Sequence, residues 1–483
     1  MPFIIPANTL AAAGGFSVDN SCRFNGDAYL HRTPSATGNP KKWTYSVWVK
    51  MAQENPGYFL AAGSGTQSKF IFGAYGGGDI DILTYEGYVV LANTARLFRD
   101  PLAWYNIILA VDTTQGTNTN GIKLWVNGVQ QTLSFNSVGS ENGYTQNTSL
   151  RVGTNNEPIH IGRDINDSGH WKGYMAECAL VNDAQLDADQ FGEFDEDSGI
   201  WKPIDISGLT FGTNGFYLDF KDSSAFGNDV SGNNNDFTVV GLAAADQSVD
   251  TCTNNQCVLN SILLPNSQPA TFSQGNTQIA QNGNWRSYAG TFGLTSGKWY
   301  FEADGSGTAG TVLYGIASLE AIQLQNSGSS NLNYTIGLNK PAYAYHGSSG
   351  GMYHSTSSAN AQGQGGGSWG AAFNSSNLIS VYIDLDNNKL YTAKDNTMNV
   401  SGTGYDIEAG FTYFPVVIGY AVTTALNFGN GDFNGTAVSS AVADANGFGK
   451  FEFDPSRGGG SDFDGAAKDF LCINSKNLST VNS

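Results

Sequence analysis

The chain of 483 residues is long enough for two or three domains, and it combines 61 glycines with 12% aromatic and only 13% charged residues. Its formal net charge of −19 excludes the basic surface that binding to nucleic-acid phosphates requires. No stretch approaches the roughly 20 apolar residues that insertion across a bilayer requires. Because aromatic side chains pack well on pleated sheets and glycine permits tight turns, the composition predicts an all-β protein with many short strands.

Residues 1–15 are apolar, but they lack a basic leading region, and Pro2 and Pro6 interrupt any helix. We expect an N-terminal arm or interface segment here and no secretory signal. Five cysteines, at positions 22, 178, 252, 257 and 472, are too few and too scattered for a disulfide scaffold or a zinc site.

Strand-like segments recur between residues 16 and 205. In residues 42–50, Trp43, Tyr45, Val47 and Val49 alternate with the other side chains, which predicts a strand with one core face. Residues 104–111 (WYNIILAV) are apolar on both faces and so belong in the middle of a sheet. Residues 121–128 end in Asn-Gly, the strongest short hairpin signal. This spacing of strands, without a long helix, predicts a jelly-roll β-sandwich.

Several motifs in this module carry a family resemblance: CRFNGDAYLHRTP, KKWTYSVWVK, FRDPLAWYNIILAVDTT, IKLWVNG, HIGRD and WKGYMAECALVNDAQL. Together they resemble the laminin-G or concanavalin A-like lectin/glucanase domain of virion proteins of tailed bacteriophages, marine ones especially. The resemblance implies that Cys22 and Cys178 lie on the neighbouring first and last strands of the sandwich. It leaves open whether they form a disulfide or remain two buried thiols.

Glycosidases related to this family need two carboxylates that flank the scissile bond. One candidate set is Asp79 and Asp81 with Glu86, and the other is Glu193, Asp195 and Glu196. The first set lacks the tight Glu, Asp, Glu spacing of the glucanase strand, and the second lies in a segment that leaves the module. Surface acids are therefore the better interpretation, and we expect no enzymatic activity.

Lectin-like sandwiches often bind calcium through loop carboxylates and carbonyls. Asp112, Asp164 and Asp167 occupy oxygen-rich loop positions, although Asp and Asn are also ordinary turn formers. Calcium therefore stays a candidate ligand, while no cofactor and no other metal site is predicted.

Residues 206–282 are predicted to form an irregular connector. Within it, Phe216, Leu218 and Phe220 alternate with Tyr217 and Asp219 as in a half-buried strand. The following residues, up to Phe237, are rich in Asp, Asn, Ser and Gly, which form turns.

Residues 283–435 contain a second series of motifs: TSGKWYFEA, LYGIA, NLISVYIDLDNNKLY, YFPVVIGY and LNFGN. In this order they resemble a SPRY or B30.2-type domain, which is another concanavalin A-like sandwich. Asp384, Asp386 and Asn388 imitate the start of a calcium-binding EF-hand loop, but Lys389 stands where that loop needs glycine. A hairpin turn is the better interpretation.

An insertion at residues 340–370 departs from the compact SPRY pattern and is rich in Gly and Ser. It mixes aromatic residues with small flexible ones, as recognition loops do, and aromatic faces stack on the apolar faces of sugars. The predicted ligand-binding residues are Tyr343, Tyr345, His346, Tyr353 and Trp369. The alternative is that these aromatic residues pack the edge of the sandwich.

Residues 436–483 contain few apolar residues and are predicted to dock on a neighbouring module or another subunit. The predicted fold is therefore two concanavalin A-like (jelly-roll) β-sandwiches joined by an irregular connector. From the resemblance we expect a structural protein of a tailed-phage virion, a tail fibre or similar surface appendage that binds host-surface carbohydrate. Expected partners are other virion proteins and further copies of the chain, a trimer among the options. A capsid-surface decoration or head-fibre protein and a polysaccharide depolymerase are the alternatives.

Overall fold

The chain divides between Asn254 and Asn255 into two units, each built mainly from antiparallel strands. The computed structural model describes residues 15–53, 55–65, 69–74, 79–85, 89–98, 100, 103–135, 137–138, 141–263, 270–283, 285–305, 312–326, 340–356, 363–364, 369–457, 462–465 and 468–481.

The N-terminal unit contains twenty strands among its described residues. The first ten are β1 (Ser21–Asn25), β2 (Tyr29–Arg32), β3 (Lys42–Met51), β4 (Gly57–Gly63), β5 (Lys69–Ala74), β6 (Asp79–Tyr85), β7 (Val89–Leu97), β8 (Trp104–Asp112), β9 (Ile122–Val126) and β10 (Val129–Gln130). The next ten are β11 (Leu133–Phe135), β12 (Ser137–Val138), β13 (Glu141–Asn142), β14 (Ile159–Ile161), β15 (Lys172–Asn182), β16 (Gly192–Phe194), β17 (Trp201–Pro203), β18 (Phe216–Leu218), β19 (Thr238–Val240) and β20 (Gln247–Ser248). Short helical turns lie at α1 (Asn118–Gly121) and at two 3-10 segments, Ala188–Gln190 and Ala244–Asp246.

Two sheets face each other in this unit. One has the order β10-β9-β8-β3-β15-β1-β20, with β18 also paired to β15, and the other has the order β11-β7-β6-β5-β4-β14-β2-β19. The core between them includes Trp43, Tyr45, Val47 and Val49, so the predicted inward face of β3 is confirmed. Every residue of β8 is buried, as its two apolar faces predicted. The Asn127-Gly128 turn joins β9 to β10 with positive φ at both residues.

A second apolar layer covers the outer face of the first of these sheets. Trp48, Trp104 and Tyr174 pack there against side chains from residues 183–211, among them Trp201 and Phe211. This cover was not predicted from the sequence. It explains why even Lys50 on β3 is only 1% exposed.

The predicted connector, residues 206–282, is shared between the two units and is not a separate body. Its strand-like run forms β18, which pairs with β15. Phe216, Leu218 and Phe220 enter the N-terminal core because they alternate toward the same face, as predicted. Residues after Asn254 belong to the C-terminal unit, and Ile279 packs in its core.

The C-terminal unit contains seventeen further strands among its described residues. The first nine are β21 (Thr271–Ser273), β22 (Gln278–Ala280), β23 (Arg286–Ala289), β24 (Lys298–Asp304), β25 (Val312–Ser318), β26 (Ala342–His346), β27 (Met352–Ser355), β28 (Gly363–Gln364) and β29 (Leu378–Asp384). The others are β30 (Lys389–Lys394), β31 (Thr397–Met398), β32 (Tyr405–Asp406), β33 (Tyr413–Gly419), β34 (Thr423–Asn427), β35 (Asp432–Phe433), β36 (Thr436–Ala437) and β37 (Leu471–Cys472). The helical segments are α2 (Leu319–Asn326), α3 (Ser475–Val481) and three 3-10 turns at Gln274–Asn276, Asn399–Gly402 and Asp462–Gly465.

This unit is also a sandwich. One sheet has the order β21-β22-β34-β24-β29-β30-β31, joined by β32 and β37, and the facing sheet has the order β23-β33-β25-β26-β27-β28. The turn between β29 and β30 is the predicted hairpin, with Asn388 at a φ of 55°. The predicted insertion supplies β26, β27 and β28, so it extends the second sheet.

The first and last segments of the C-terminal unit are hydrogen-bonded to each other. The Cys257 amide donates to the Ile473 carbonyl at 3.0 Å, and the Ser475 amide donates to the Asn255 carbonyl at 2.9 Å. β37 lies parallel to β24 inside the sheet, and Phe470 and Leu478 are buried. The C-terminal segment therefore packs within the C-terminal unit itself.

The all-β prediction with two β-sandwiches is therefore confirmed. No helix within the described ranges is long and apolar enough to cross a membrane.

Candidate functional site

A cleft of about 410 Å³ opens in the C-terminal unit, beside the sheet edge that the insertion extends. Its walls come from β26 and β27, from Trp369, and from the segment around β32. The lining residues are Tyr343, His354, Thr356, Trp369, Gly404, Tyr405, Asp406, Ile407 and Glu408.

Strand pairing places two of these residues side by side. Tyr343 on β26 lies directly opposite His354 on β27, and opposite residues of an antiparallel pair project from the same face of the sheet. The Tyr343 hydroxyl accepts a hydrogen bond from the Glu408 amide at 3.0 Å. The Tyr413 hydroxyl donates to the Glu408 carbonyl at 2.8 Å. These two bonds fix the segment that carries Glu408 against the strands.

Two aromatic rings meet nearly at a right angle in the cleft. The centroids of Trp369 and Tyr405 are 5.2 Å apart, with 79° between the ring planes. The Trp369 indole N–H donates to the Thr392 hydroxyl oxygen at 2.8 Å, and Asn399 donates to the same oxygen at 2.7 Å. Since both rings are partly exposed and the indole is anchored through its N–H, they form a rigid apolar corner that a ligand can contact.

The polar groups of the cleft stand next to this corner. The Tyr405 hydroxyl lies 2.8 Å from His354 Nδ1. Burial lowers the pKa of His354, so the imidazole is neutral at pH 7 and can accept at one nitrogen while it donates at the other. Asp406 forms an ion pair with Lys389 at 2.8 Å, and Glu408 lines the rim. The arrangement offers hydrogen-bond donors and acceptors around an apolar surface.

The structure brings two of the five predicted ligand-binding residues, Tyr343 and Trp369, to this cleft. Tyr343 is only 1% exposed, so it contributes to the floor. The other three are buried outside the cleft lining. Tyr345 donates its hydroxyl hydrogen to the Ala371 carbonyl, His346 contacts the Ser349 hydroxyl at 2.9 Å, and Tyr353 packs in a separate apolar cluster.

Sequence reasoning missed Tyr405, Asp406 and Glu408, which reach the cleft from a segment beyond the predicted insertion. They come close to Trp369 because β32 pairs with β30, which also carries the Thr392 that anchors the indole. The sequence around Tyr405 (GYDIEAG) has no motif that would have distinguished it from an ordinary loop.

Two of the acids considered as catalytic candidates, Glu193 and Asp195, are engaged in hydrogen bonds or ion pairs. Asp79 and Asp81 fall on β6, and Glu86 lies outside the described residues. Asp195 accepts hydrogen bonds from the Ser198 amide and hydroxyl and lies 3.3 Å from the Lys202 ammonium. Hydrogen bonds from Ser198 lower the pKa of Asp195 to about 2, which does not suit a general acid. Glu193 pairs with the same lysine at 3.2 Å.

The carboxylates considered for calcium already face cationic or polar partners. Asp164 pairs with Lys69, Asp167 pairs with Arg163, and Asp112 accepts from the Thr114 amide at 3.1 Å and lies 3.5 Å from Lys42. Asp384, from the EF-hand-like sequence, pairs with Lys468 at 2.7 Å. In the part of the chain that the structure describes, no three His, Cys, Asp or Glu side chains are arranged to hold a metal ion. These carboxylates therefore do not fit a calcium site.

The strands of Cys22 and Cys178 are neighbours, as the resemblance implied. β1 pairs with β15, but Cys22 lies opposite Met175, and both thiols are free and buried. The Tyr45 hydroxyl lies 3.2 Å from the Cys178 sulfur.

Comparisons with known proteins agree with the sandwich architecture of the N-terminal unit. Residues 24–189 match the family described as the Concanavalin A-like lectin/glucanases superfamily. No curated protein matches the chain.

Among solved structures, the SPRY domain of human HERC1 is 12% identical, with a TM-score of 0.25, covering 32% of this chain and 91% of that one. A putative carbohydrate-binding protein from Bacteroides ovatus is 14% identical, with a TM-score of 0.32 and coverage of 47% and 60%. A heptameric SAP-like pentraxin from Limulus polyphemus is 14% identical, with a TM-score of 0.26 and coverage of 35% and 78%.

Proposed function

We propose that this protein binds carbohydrate and that the cleft of the C-terminal unit is its binding site. The observation that carries the proposal is the anchored right-angled pair of Trp369 and Tyr405 beside the polar groups of His354 and Glu408. A sugar ring presents an apolar C–H face and a rim of hydroxyls. An aromatic wall with adjacent hydrogen-bonding side chains matches both features.

The dimensions of the cleft support a small ligand or the end of a longer chain. Its volume of about 410 Å³ lies near the lower end of the roughly 300 to 1,000 Å³ that is common for such pockets. The match of residues 24–189 to a lectin and glucanase family supports a connection of the whole chain with carbohydrate. We propose binding without hydrolysis, because the described acids Glu193 and Asp195 are tied to Lys202.

We further propose that the protein is a structural component of a tailed-phage virion, such as a tail-fibre subunit that attaches to host-surface glycans. The support is the resemblance of the motifs in residues 16–205 to the lectin-like domain of such virion proteins. In this role the protein would assemble with further copies of itself and with other virion proteins.

The test of carbohydrate binding is a glycan array probed with the full chain, followed by calorimetric titration of the glycans that bind. Trp369→Ala and Tyr405→Ala should each weaken binding at least about ten-fold, because each removes one wall of the corner. Tyr420→Ala, which removes a 41% exposed tyrosine outside the cleft, is the matched control and should bind normally. Unchanged binding in both cleft variants would place the site elsewhere, and no binding to any glycan would refute the proposal.

The virion role is tested separately by electron microscopy of purified particles labelled with antibodies against the protein. Labels on the tail would support the appendage. Labels on the head would favour the decoration or head-fibre alternative, and unlabelled particles would contradict a role in the mature virion.

A further inference from the structure

We propose that the cleft takes neutral and positively charged glycans and rejects glycans that carry carboxylate or sulfate groups. The inference rests on the proposed function and adds a chemical class of ligand to it. It follows from the charges that surround the aromatic corner.

The described lining of the cleft contains two carboxylates, Asp406 and Glu408, and no lysine or arginine. An acidic sugar that stacks on Trp369 or Tyr405 would therefore bring its negative charge toward two like charges. Recognition of carboxylate or sulfate groups usually needs the opposite arrangement, with an arginine fork or a lysine facing the ligand.

The ammonium group that pairs with Asp406, that of Lys389, is already engaged by carboxylates. The Lys389 ammonium lies 2.8 Å from Asp406, and the bond with Asp406 raises the pKa of Lys389. Asp464 also acts on Lys389 electrostatically and accepts hydrogen bonds from Tyr391 at 2.8 Å and from the Gly404 amide at 3.2 Å. An anionic ligand would have to compete with these carboxylates for the Lys389 ammonium.

A second ammonium group in this region, that of Lys468, is also bonded to a carboxylate. Lys468 bonds to Asp384 and to the Tyr391 hydroxyl, each at 2.7 Å. Lys394 donates to the Ala372 carbonyl at 2.8 Å. Carboxylates around β30 and β32 thus hold the ammonium groups of Lys389 and Lys468, and a backbone carbonyl holds that of Lys394.

Near neutral pH, His354 does not supply a positive charge that would offset the carboxylates of the cleft. Burial lowers the pKa of His354, which favours the neutral form of its ring at pH 7. The net charge of −19 for the whole chain also repels polyanions, and added salt screens this repulsion.

The test starts from a neutral polysaccharide identified by the array and from the same polysaccharide after oxidation of its primary alcohols to carboxylates. At about 50 mM salt, the oxidised form should bind the full chain at least about ten-fold more weakly, and raising the salt should narrow this ratio. An aminated form of the same polysaccharide should bind at least as well as the neutral one.

Glu408→Gln and Asp406→Asn should each reduce the discrimination against the oxidised form, measured as the ratio of the affinities for the neutral and the oxidised polysaccharide. Asp454→Asn, which changes an exposed carboxylate of the same unit outside the cleft, is the control and should leave the ratio unchanged. An array that shows only acidic glycans, or equal binding of both forms, overturns this inference but leaves carbohydrate binding intact. An array without any bound glycan instead refutes the proposed function itself.

Discussion

The ammonium of Lys50 lies 2.6 Å from the carboxylate of Asp250, and both side chains are 1% exposed. The Trp104 indole N–H donates to the other oxygen of Asp250 at 2.9 Å. This ion pair ties the segment after β20 to β3 beneath the second apolar layer of the N-terminal unit.

Asp250→Ala should lower the free energy of unfolding by about 3 to 5 kcal/mol, because it leaves the Lys50 charge buried without its carboxylate. The double variant Lys50→Met with Asp250→Leu should recover part of that loss, since two apolar side chains replace the pair while the Trp104 N–H loses its acceptor. Urea unfolding followed by tryptophan fluorescence measures both. If the double variant is as unstable as Asp250→Ala, burial of the Lys50 charge without its carboxylate does not explain the loss of stability. That result would instead indicate that the fold requires the polar side chains themselves.

Glu177 makes the stability of the N-terminal unit depend on pH. This residue lies at a bulge in β15 with a φ of 49°, is 5% exposed, and accepts a hydrogen bond from the Tyr217 hydroxyl. Burial raises the pKa of Glu177 from its usual 4.5 to about 7. Since the folded state binds this proton more tightly, stability is lost as the pH rises from about 4.5 through 7.

Glu177→Gln removes this titration while keeping an acceptor for Tyr217. The variant should match the wild type below about pH 4.5 and exceed it by about 2 to 4 kcal/mol above pH 8. Thermal unfolding across this pH range is the measurement. A difference between the two proteins that does not change with pH would show that Glu177 does not titrate as described.

Glu302 is a completely buried carboxylate that four donors hold. Tyr300 and the Phe453 amide donate to one oxygen at 2.9 and 2.8 Å, while Asn427 and the Glu452 amide donate to the other at 2.9 and 3.0 Å. Through the two amide bonds, Glu302 holds residues 452–453 against β24. Glu302→Gln should destabilise the C-terminal unit by about 2 to 4 kcal/mol, because the NH2 that replaces one carboxylate oxygen cannot accept and faces two donors.

Chemical unfolding of Glu302→Gln checks this, with the exposed substitution Asp454→Asn as the control that should change little. Equal stability of Glu302→Gln and the wild type would mean that an amide can replace the carboxylate. That result would contradict the arrangement of four donors around its two oxygens.

Gly128, in the hairpin turn between β9 and β10, and Gly199 allow two costs of replacing a glycine to be separated: backbone strain and steric clash. Gly128 has a φ of 74°, and a Cβ there would lie 2.3 Å from the Trp201 ring, whereas Gly199 has a φ of 67° with open space around it. Gly199→Ala should cost about 1 kcal/mol from backbone strain alone, and Gly128→Ala about 2 to 4 kcal/mol because the clash adds to the strain. Calorimetry of the two variants measures the difference, and equal losses would show that Trp201 moves freely.

Local patterns were sufficient to predict much of the fold. The alternation of Trp43, Tyr45, Val47 and Val49 predicted the inward face of β3, and the Asn-Gly turn predicted the hairpin after β9. The burial of Lys50 on the opposite face could not be predicted in this way. It depends on a cover contributed by residues 183–211 and on an acid 200 positions away, and neither leaves a periodic signal in β3.

The candidate site shows the same limit. The aromatic-rich insertion correctly indicated Tyr343 and Trp369 as cleft residues. It also suggested Tyr345 and Tyr353, whose side chains pack in buried apolar clusters because of the strand pairing. Tyr405 joins the cleft through the pairing of β32 with β30, and a contact of this kind is fixed by the tertiary arrangement.

The hydrogen bonds between Asn255, Cys257 and the segment 473–475 have a consequence for synthesis of the protein. A ribosome completes residues 15–254 long before it reaches Ile473, so the N-terminal sandwich can fold while the rest is being translated. The C-terminal unit lacks its closing strand until almost all of its residues have emerged. Premature termination before β37 should therefore leave a folded lectin-like half attached to an unfinished, aggregation-prone one.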